Sequence, residues 1–74
     1  MQNLQTAIAT VKANPSAIDR YGYMSTGEWL ILCLGVGTKD SIAKLPPNYP
    51  TIADAWQRIW VSGQQIVTDA WAGE

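Results

Sequence analysis

The chain has 74 residues, of which 47% are hydrophobic and 15% are charged, with a formal net charge of −1. This composition argues against intrinsic disorder, and the length is that of one domain with a small core. The 5 lysines and arginines are scattered along the chain, so the charge pattern argues against nucleic acid and anionic membranes as partners.

The inventory of reactive side chains is small. The chain contains no histidine and a single cysteine, Cys33. It therefore offers no imidazole ligand for a metal ion, no internal disulfide and no histidine base for a nucleophile. We expect no metal, no cofactor and no enzymatic activity, and we expect a reducing, cytoplasmic location.

The first predicted element is an amphipathic helix over about 3–13. Four of its apolar residues recur at the three- and four-residue spacing of one helical face: Leu4, Ala7, Ile8 and Val11. Asn14-Pro15 ends this helix, because proline disfavours helical geometry at the residue before it and suits the first turn of a new helix. The sequence therefore predicts a short helical turn near 15–20.

The second predicted helix, 26–36, begins with a start signal. Ser25 and Glu28 have the spacing of a capping box, in which each side chain accepts a hydrogen bond from the other residue's backbone amide. The apolar run 29–36 predicts the most buried helix, although a buried strand is the alternative for such a run. A membrane-spanning helix would need about 20 apolar residues, so we predict no transmembrane segment. Either Gly35 or Gly37 is expected to end the helix in the left-handed backbone conformation.

A second short helical turn is predicted near 39–45, before the prolines of the following connector. The third main helix is predicted over 51–72, where eight apolar or small residues follow steps of three and four: Ile52, Trp56, Ile59, Trp60, Gly63, Val67, Ala70 and Trp71. Gly63 weakens this helix, and a hairpin over 59–68 is the alternative. We favour the helix, because a glycine on the apolar stripe allows another helix to approach closely.

The tryptophans predict where the protein contacts a partner. Four indoles cannot all be deeply buried in so small a domain, and tryptophan is enriched at interfaces. Tyr49 belongs to a P-P-N-Y sequence that matches the ligand motif of WW domains, although so short a match within a folded domain is a weak signal. The predicted interaction surface comprises Trp56, Trp60, Gly63, Trp71 and Tyr49.

Together these patterns predict a single all-α domain over 1–74, a small bundle of three main helices. The predicted function is that of a non-enzymatic protein-interaction module: a regulator, an adaptor, or a phage or mobile-element accessory protein. It would bind a protein partner or itself, as a homodimer. The S-T-G-E cap and the P-T-I-A-D-A-W segment resemble parts of small bacterial and phage proteins, without indicating a family.

Two other functions stay open at this point. A dimeric DNA-associated regulator would use a helix-turn-helix-like pair, 39–45 and 51–61, and would gather three basic side chains on one face: Lys39, Lys44 and Arg58. A small enzyme or a carrier of apolar ligands would instead need a pocket beside Cys33 and Gly35.

Overall fold

A computed structural model describes residues 3–73, and it confirms the predicted all-α class. These residues form six helices and no strand. The helices are α1 (Leu4–Ala13), a 3₁₀ helix (Pro15–Tyr21), α2 (Thr26–Val36), α3 (Lys39–Ile42), α4 (Ile52–Arg58) and α5 (Val61–Ala72). The predicted turn near 39–45 is thus a four-residue helix that continues as turns to Leu45.

Helix α2 is the centre of the fold, as the apolar run predicted. Every residue from Leu30 to Val36 is buried. At its start, the Glu28 carboxylate accepts a hydrogen bond from the Ser25 amide at 3.2 Å, and the Ser25 hydroxyl oxygen accepts one from the Glu28 amide at 3.4 Å. At its end Gly37 is left-handed, with a φ of 69°. The predicted capping box and glycine stop are both confirmed.

Helix α1 packs on α2 through its buried apolar face. Its Ile8 side chain occupies the space beside Gly35 so fully that a Cβ atom at Gly35 would collide with Ile8 Cδ1. The absence of a side chain at Gly35 is therefore what allows these two helices to approach each other.

The prediction of one helix over 51–72 is wrong at its middle. Ile59 and Trp60 are extended, with ψ angles of 153° and 167°, so α4 and α5 are separate helices. Both side chains gain contacts from the break, because Ile59 is buried and the Trp60 ring covers Gly27. The break removes the helical partner of the Trp56 carbonyl, and the Gln64 amide group donates to that oxygen at 3.0 Å instead.

Helix α5 lies against α2 at Gly63, which confirms the helical interpretation of this glycine over the hairpin. A Cβ atom at Gly63 would lie 2.6 Å from Ile31 Cδ1 and 3.1 Å from Ile31 Cγ1. Distances this short mean that no larger residue fits without displacing Ile31. The helix tolerates the low propensity of glycine because the close packing of α2 and α5 requires it.

Candidate interaction surface

The structure distributes the predicted tryptophans over the two ends of α2. At the C-terminal end, the Trp71 indole N–H donates to the Leu34 carbonyl at 2.8 Å. At the N-terminal end, the Trp60 ring packs directly on Gly27. The contact is so close that a Cβ atom at Gly27 would lie 2.5 Å from Trp60 Cζ3. The length of α2 separates these two sites by about 10–15 Å. Trp60 and Trp71 therefore do not form one continuous patch.

Trp56 and Trp71 do come together, as a stacked pair. Their ring centroids are 6.0 Å apart and the planes differ by 16°. In one continuous helix these residues would lie about 22 Å apart along the axis, so the break before α5 is what brings them into contact. Trp56 is half-buried, and the Trp71 indole N–H binds the Leu34 carbonyl near the end of α2. The Trp71 side chain nevertheless stays 40% exposed.

The two other predicted surface residues are engaged within the chain. Gly63 is buried where α5 packs against Ile31 of α2. Tyr49 is half-buried, and its hydroxyl accepts a hydrogen bond from Arg58 Nε at 3.2 Å. The Tyr49 amide also donates to the Pro46 carbonyl at 2.9 Å, which closes a turn. WW domains bind extended proline-rich segments, and this turn does not present one.

Three large apolar side chains lie exposed at the N-terminal end of α2. Tyr23 is 69% exposed, Trp60 is 45% exposed and Val61 is 80% exposed. Tyr23 lies two residues before the Ser25 cap, so the chain itself holds it at this end of α2. We call these three residues the apolar end. Summed over the three residues, the exposed side-chain surface is roughly 350 Å².

Two of these three residues were not among the predicted surface residues. Val61 was missed because it follows two apolar neighbours within a segment that was interpreted as one helix. Successive residues of a helix point about 100° apart, so three consecutive apolar residues cannot share one buried face. The I-W-V sequence at 59–61 was the signal for an exposed residue. For Tyr23, the only sequence signal of exposure was its position two residues before the Ser25 cap, outside the predicted helices.

The proposed pocket beside Cys33 and Gly35 is filled by the protein itself. Cys33 is fully buried, and the Ile8 side chain fills the space next to Gly35. Burial raises the pKa of the Cys33 thiol from 9.0 to about 12, and the charge of Lys44 opposes that rise only in part. A thiol with this pKa is protonated at neutral pH and is a poor nucleophile.

We therefore expect the Cys33 thiol to react slowly with a disulfide reagent in the native protein at neutral pH and fast in denaturant. The reason is that only the thiolate reacts, and burial suppresses both its formation and its access. The measurement is the labelling rate with and without urea. Equal rates in both conditions would mean that Cys33 is accessible and that the core around it is open.

The same thiol gives the protein a dependence on alkaline pH. Because the folded-state pKa lies above the unfolded value, the stabilising contribution is complete below pH 9 and is lost as the pH rises towards about 12. The free energy of unfolding of the wild type should therefore fall more steeply above pH 9 than that of Cys33→Ala. The slope attributable to one such thiol is at most about 1.4 kcal/mol per pH unit.

A surface cleft of about 440 Å³ lies between the 3₁₀ helix and α3. Lys44 Nζ and Asp19 Oδ1, which line it, pair with each other at 3.3 Å. The Ser41 hydroxyl on its wall donates to the Cys33 carbonyl at 2.9 Å. These polar groups are thus already used by the fold.

The helix pair suggested for DNA binding is short and widely separated. Helix α3 has 4 residues and α4 has 7, and residues 43–51 lie between them. Two of the three basic residues also have partners within the chain, since Lys44 pairs with Asp19 and Arg58 donates to Tyr49. Neither the length of these helices nor the state of their basic residues favours recognition of a DNA groove.

Between residues 3 and 73, no helix is both long enough and apolar enough to cross a lipid bilayer. The same residues contain no group of three or more histidine, cysteine, aspartate or glutamate side chains that could hold a metal ion. Comparison with protein-family models, curated proteins and solved structures found no match to this chain.

Proposed function

We propose that this protein is a small non-enzymatic interaction module, acting as a regulator or adaptor, that binds a protein through the apolar end. The observation that carries the proposal is the exposure of three large apolar side chains, Tyr23, Trp60 and Val61. Tyrosine and tryptophan are also enriched among hot-spot residues, the few residues that contribute most of the binding energy of an interface. We propose a cytoplasmic location, with which a free, buried Cys33 is compatible.

The accessible surface area of the chain indicates that it folds without its partner. The accessible surface is 4464 Å², close to the roughly 4,500 Å² expected of a folded monomer of this mass. A standard interface covers about 800 Å² on each partner. The apolar end could form the centre of such an interface, with polar neighbours as its rim.

Site-specific photo-cross-linking in cells tests this proposal. A benzophenone side chain placed at position 61 should form a cross-link to a protein, because this position would lie at the centre of the contact. The matched control places the same group at position 39, which is exposed at the start of α3, beyond the opposite end of α2. A cross-link from position 61 that is much stronger than that from position 39 is the expected result. Equal yields from the two positions, or none from position 61, would overturn the proposal.

A further inference from the structure

The break between α4 and α5 has no local signal in the sequence. Each of the other described α-helices begins with a side-chain cap, provided by Asn3, Ser25, Thr38 and Thr51. Helix α5 begins at Trp60, whose indole has no acceptor for a backbone amide. Residues 58–61, R-I-W-V, include neither glycine nor proline, the usual helix breakers. The local sequence therefore favours one continuous helix here.

Contacts with the rest of the fold hold the break open. Ile59 is buried, and the Trp60 ring packs on Gly27. In a continuous helix, the amides of 60–63 would instead donate to the carbonyls of 56–59. The Gln64 side chain replaces one of these bonds, at the Trp56 carbonyl. Local and tertiary preferences thus oppose each other at residues 59–60, which makes this the point where the fold is most easily rearranged.

A continuous helix could not keep α5 on its own α2. A straight helix from Ile52 to Ala72 would be about 31 Å long, whereas the folded chain extends over 26 Å along its longest principal axis. With α4 in place, α5 would project away from the molecule and expose its buried face, including Val67. The α2 helix of a second copy offers that face the same contacts.

We propose that residues 59–60 are a hinge through which two copies of the chain exchange α5. In the exchanged dimer α4 and α5 form one helix, and each α5 packs on α2 of the other copy. The contact of Gly63 with Ile31 then forms between two chains. The two states differ chiefly at the hinge, which loses its packing and gains helical hydrogen bonds. Short hinges under strain favour such an exchange. The inference is independent of the proposed function.

Refolding from urea at two protein concentrations tests the exchange. The wild type should be monomeric after refolding at micromolar concentration and partly dimeric after refolding at millimolar concentration. Sedimentation after dilution to micromolar concentration measures the dimer fraction. This dimer should persist for much longer than a surface contact would, because its dissociation requires each α5 to leave the core of the other copy.

Two substitutions at Val61 separate the broken helix from the continuous one. Val61 is the first residue of α5, where proline is well tolerated, and Trp60 already has the extended conformation that proline favours before it. Within a continuous helix the same proline would remove a hydrogen bond and clash with the preceding turn. Val61→Pro should therefore keep the monomer folded and lower the dimer yield at least about a hundredfold.

The matched control is Val61→Ala, which should dimerise at least as well as the wild type because alanine favours a continuous helix. Circular dichroism and urea unfolding check that both variants fold. If Val61→Pro does not fold, Val61→Gly replaces it. Glycine disfavours the helix less strongly than proline does, so this variant should lower the dimer yield about fivefold.

An engineered disulfide shows whether α5 has been exchanged. A Cβ atom at Gly63 would lie 3.1 Å from Ile31 Cγ1, so a cysteine pair at these two positions is within reach of a disulfide. Ile31→Cys and Gly63→Cys are combined in a Cys33→Ala chain. In the monomer the bond closes within one chain. In the exchanged dimer it joins two chains, which then stay together in denaturing electrophoresis without a reductant.

Each outcome decides the inference. A wild type that gives no dimer after concentrated refolding overturns it, as does a Val61→Pro dimer yield equal to that of Val61→Ala. A dimer whose disulfides all lie within single chains overturns the exchange of α5. The cross-link from position 61 does not require a dimer, so the proposed function can stand when the exchange fails, and the exchange can stand when that cross-link is missing.

Discussion

Replacing Leu30 by alanine is expected to destabilise the protein by roughly 3 kcal/mol, the typical cost of removing a buried leucine side chain. Leu30 is fully buried within α2, the helix on which α1, α4 and α5 pack. A domain of this length has a total stability of only about 4–11 kcal/mol. The variant should therefore unfold at a much lower urea concentration than the wild type.

The matched control for Leu30→Ala is Ile52→Ala. It also truncates an aliphatic side chain in a helix, but Ile52 is 46% exposed at the start of α4. We expect it to cost less than about 1 kcal/mol, because little apolar contact is lost. Urea unfolding followed by circular dichroism measures both variants. Similar midpoints for the two would contradict the central position of α2.

Replacing Gly63 by alanine is expected to destabilise the protein by about 1–2 kcal/mol, which is opposite in sign to the effect on an isolated helix. Helix propensity alone favours alanine over glycine by about 1 kcal/mol. Here the added Cβ would lie 2.6 Å from Ile31 Cδ1, inside a fully buried contact. Crowding of this kind typically costs about 1–3 kcal/mol, which outweighs the gain in propensity.

The control for Gly63→Ala is the same substitution at Gly22. There a Cβ atom would meet only the Asp19 carbonyl oxygen, at 3.8 Å. Gly22 has a right-handed helical conformation that alanine adopts readily, so Gly22→Ala should be neutral or slightly stabilising. Urea unfolding of the two variants should give shifts of opposite sign or of clearly different size.

A double-mutant cycle identifies the clashing atom. Ile31→Val removes Cδ1, the atom nearest to the added Cβ. Gly63→Ala should therefore cost less in an Ile31→Val protein than in the wild type, with a coupling energy of at least about 0.5 kcal/mol. Additive effects of the two substitutions would show that α2 and α5 do not meet at this position.

The sequence predicted best those features that depend on residues close to one another along the chain. Ser25 and Glu28 form their capping box within one helical turn, and Gly37 ends α2 through its own backbone freedom. The burial of α2 also followed from sequence, because a run of apolar residues has only the core to pack against. These features depend on short-range chemistry, or on the hydrophobic effect alone.

The sequence alone therefore determined the helical class, the extent of α1 and α2 and the identity of the central helix. The tertiary structure decided the rest: Ile59 and Trp60 are extended, and the burial of Ile59 and the packing of the Trp60 ring on Gly27 of α2 offset the lost helical hydrogen bonds. That single break brings Trp56 and Trp71 into a stacked contact. Contacts between distant segments cannot be read from local periodicity, so the exposed surface emerged only from the packed helices.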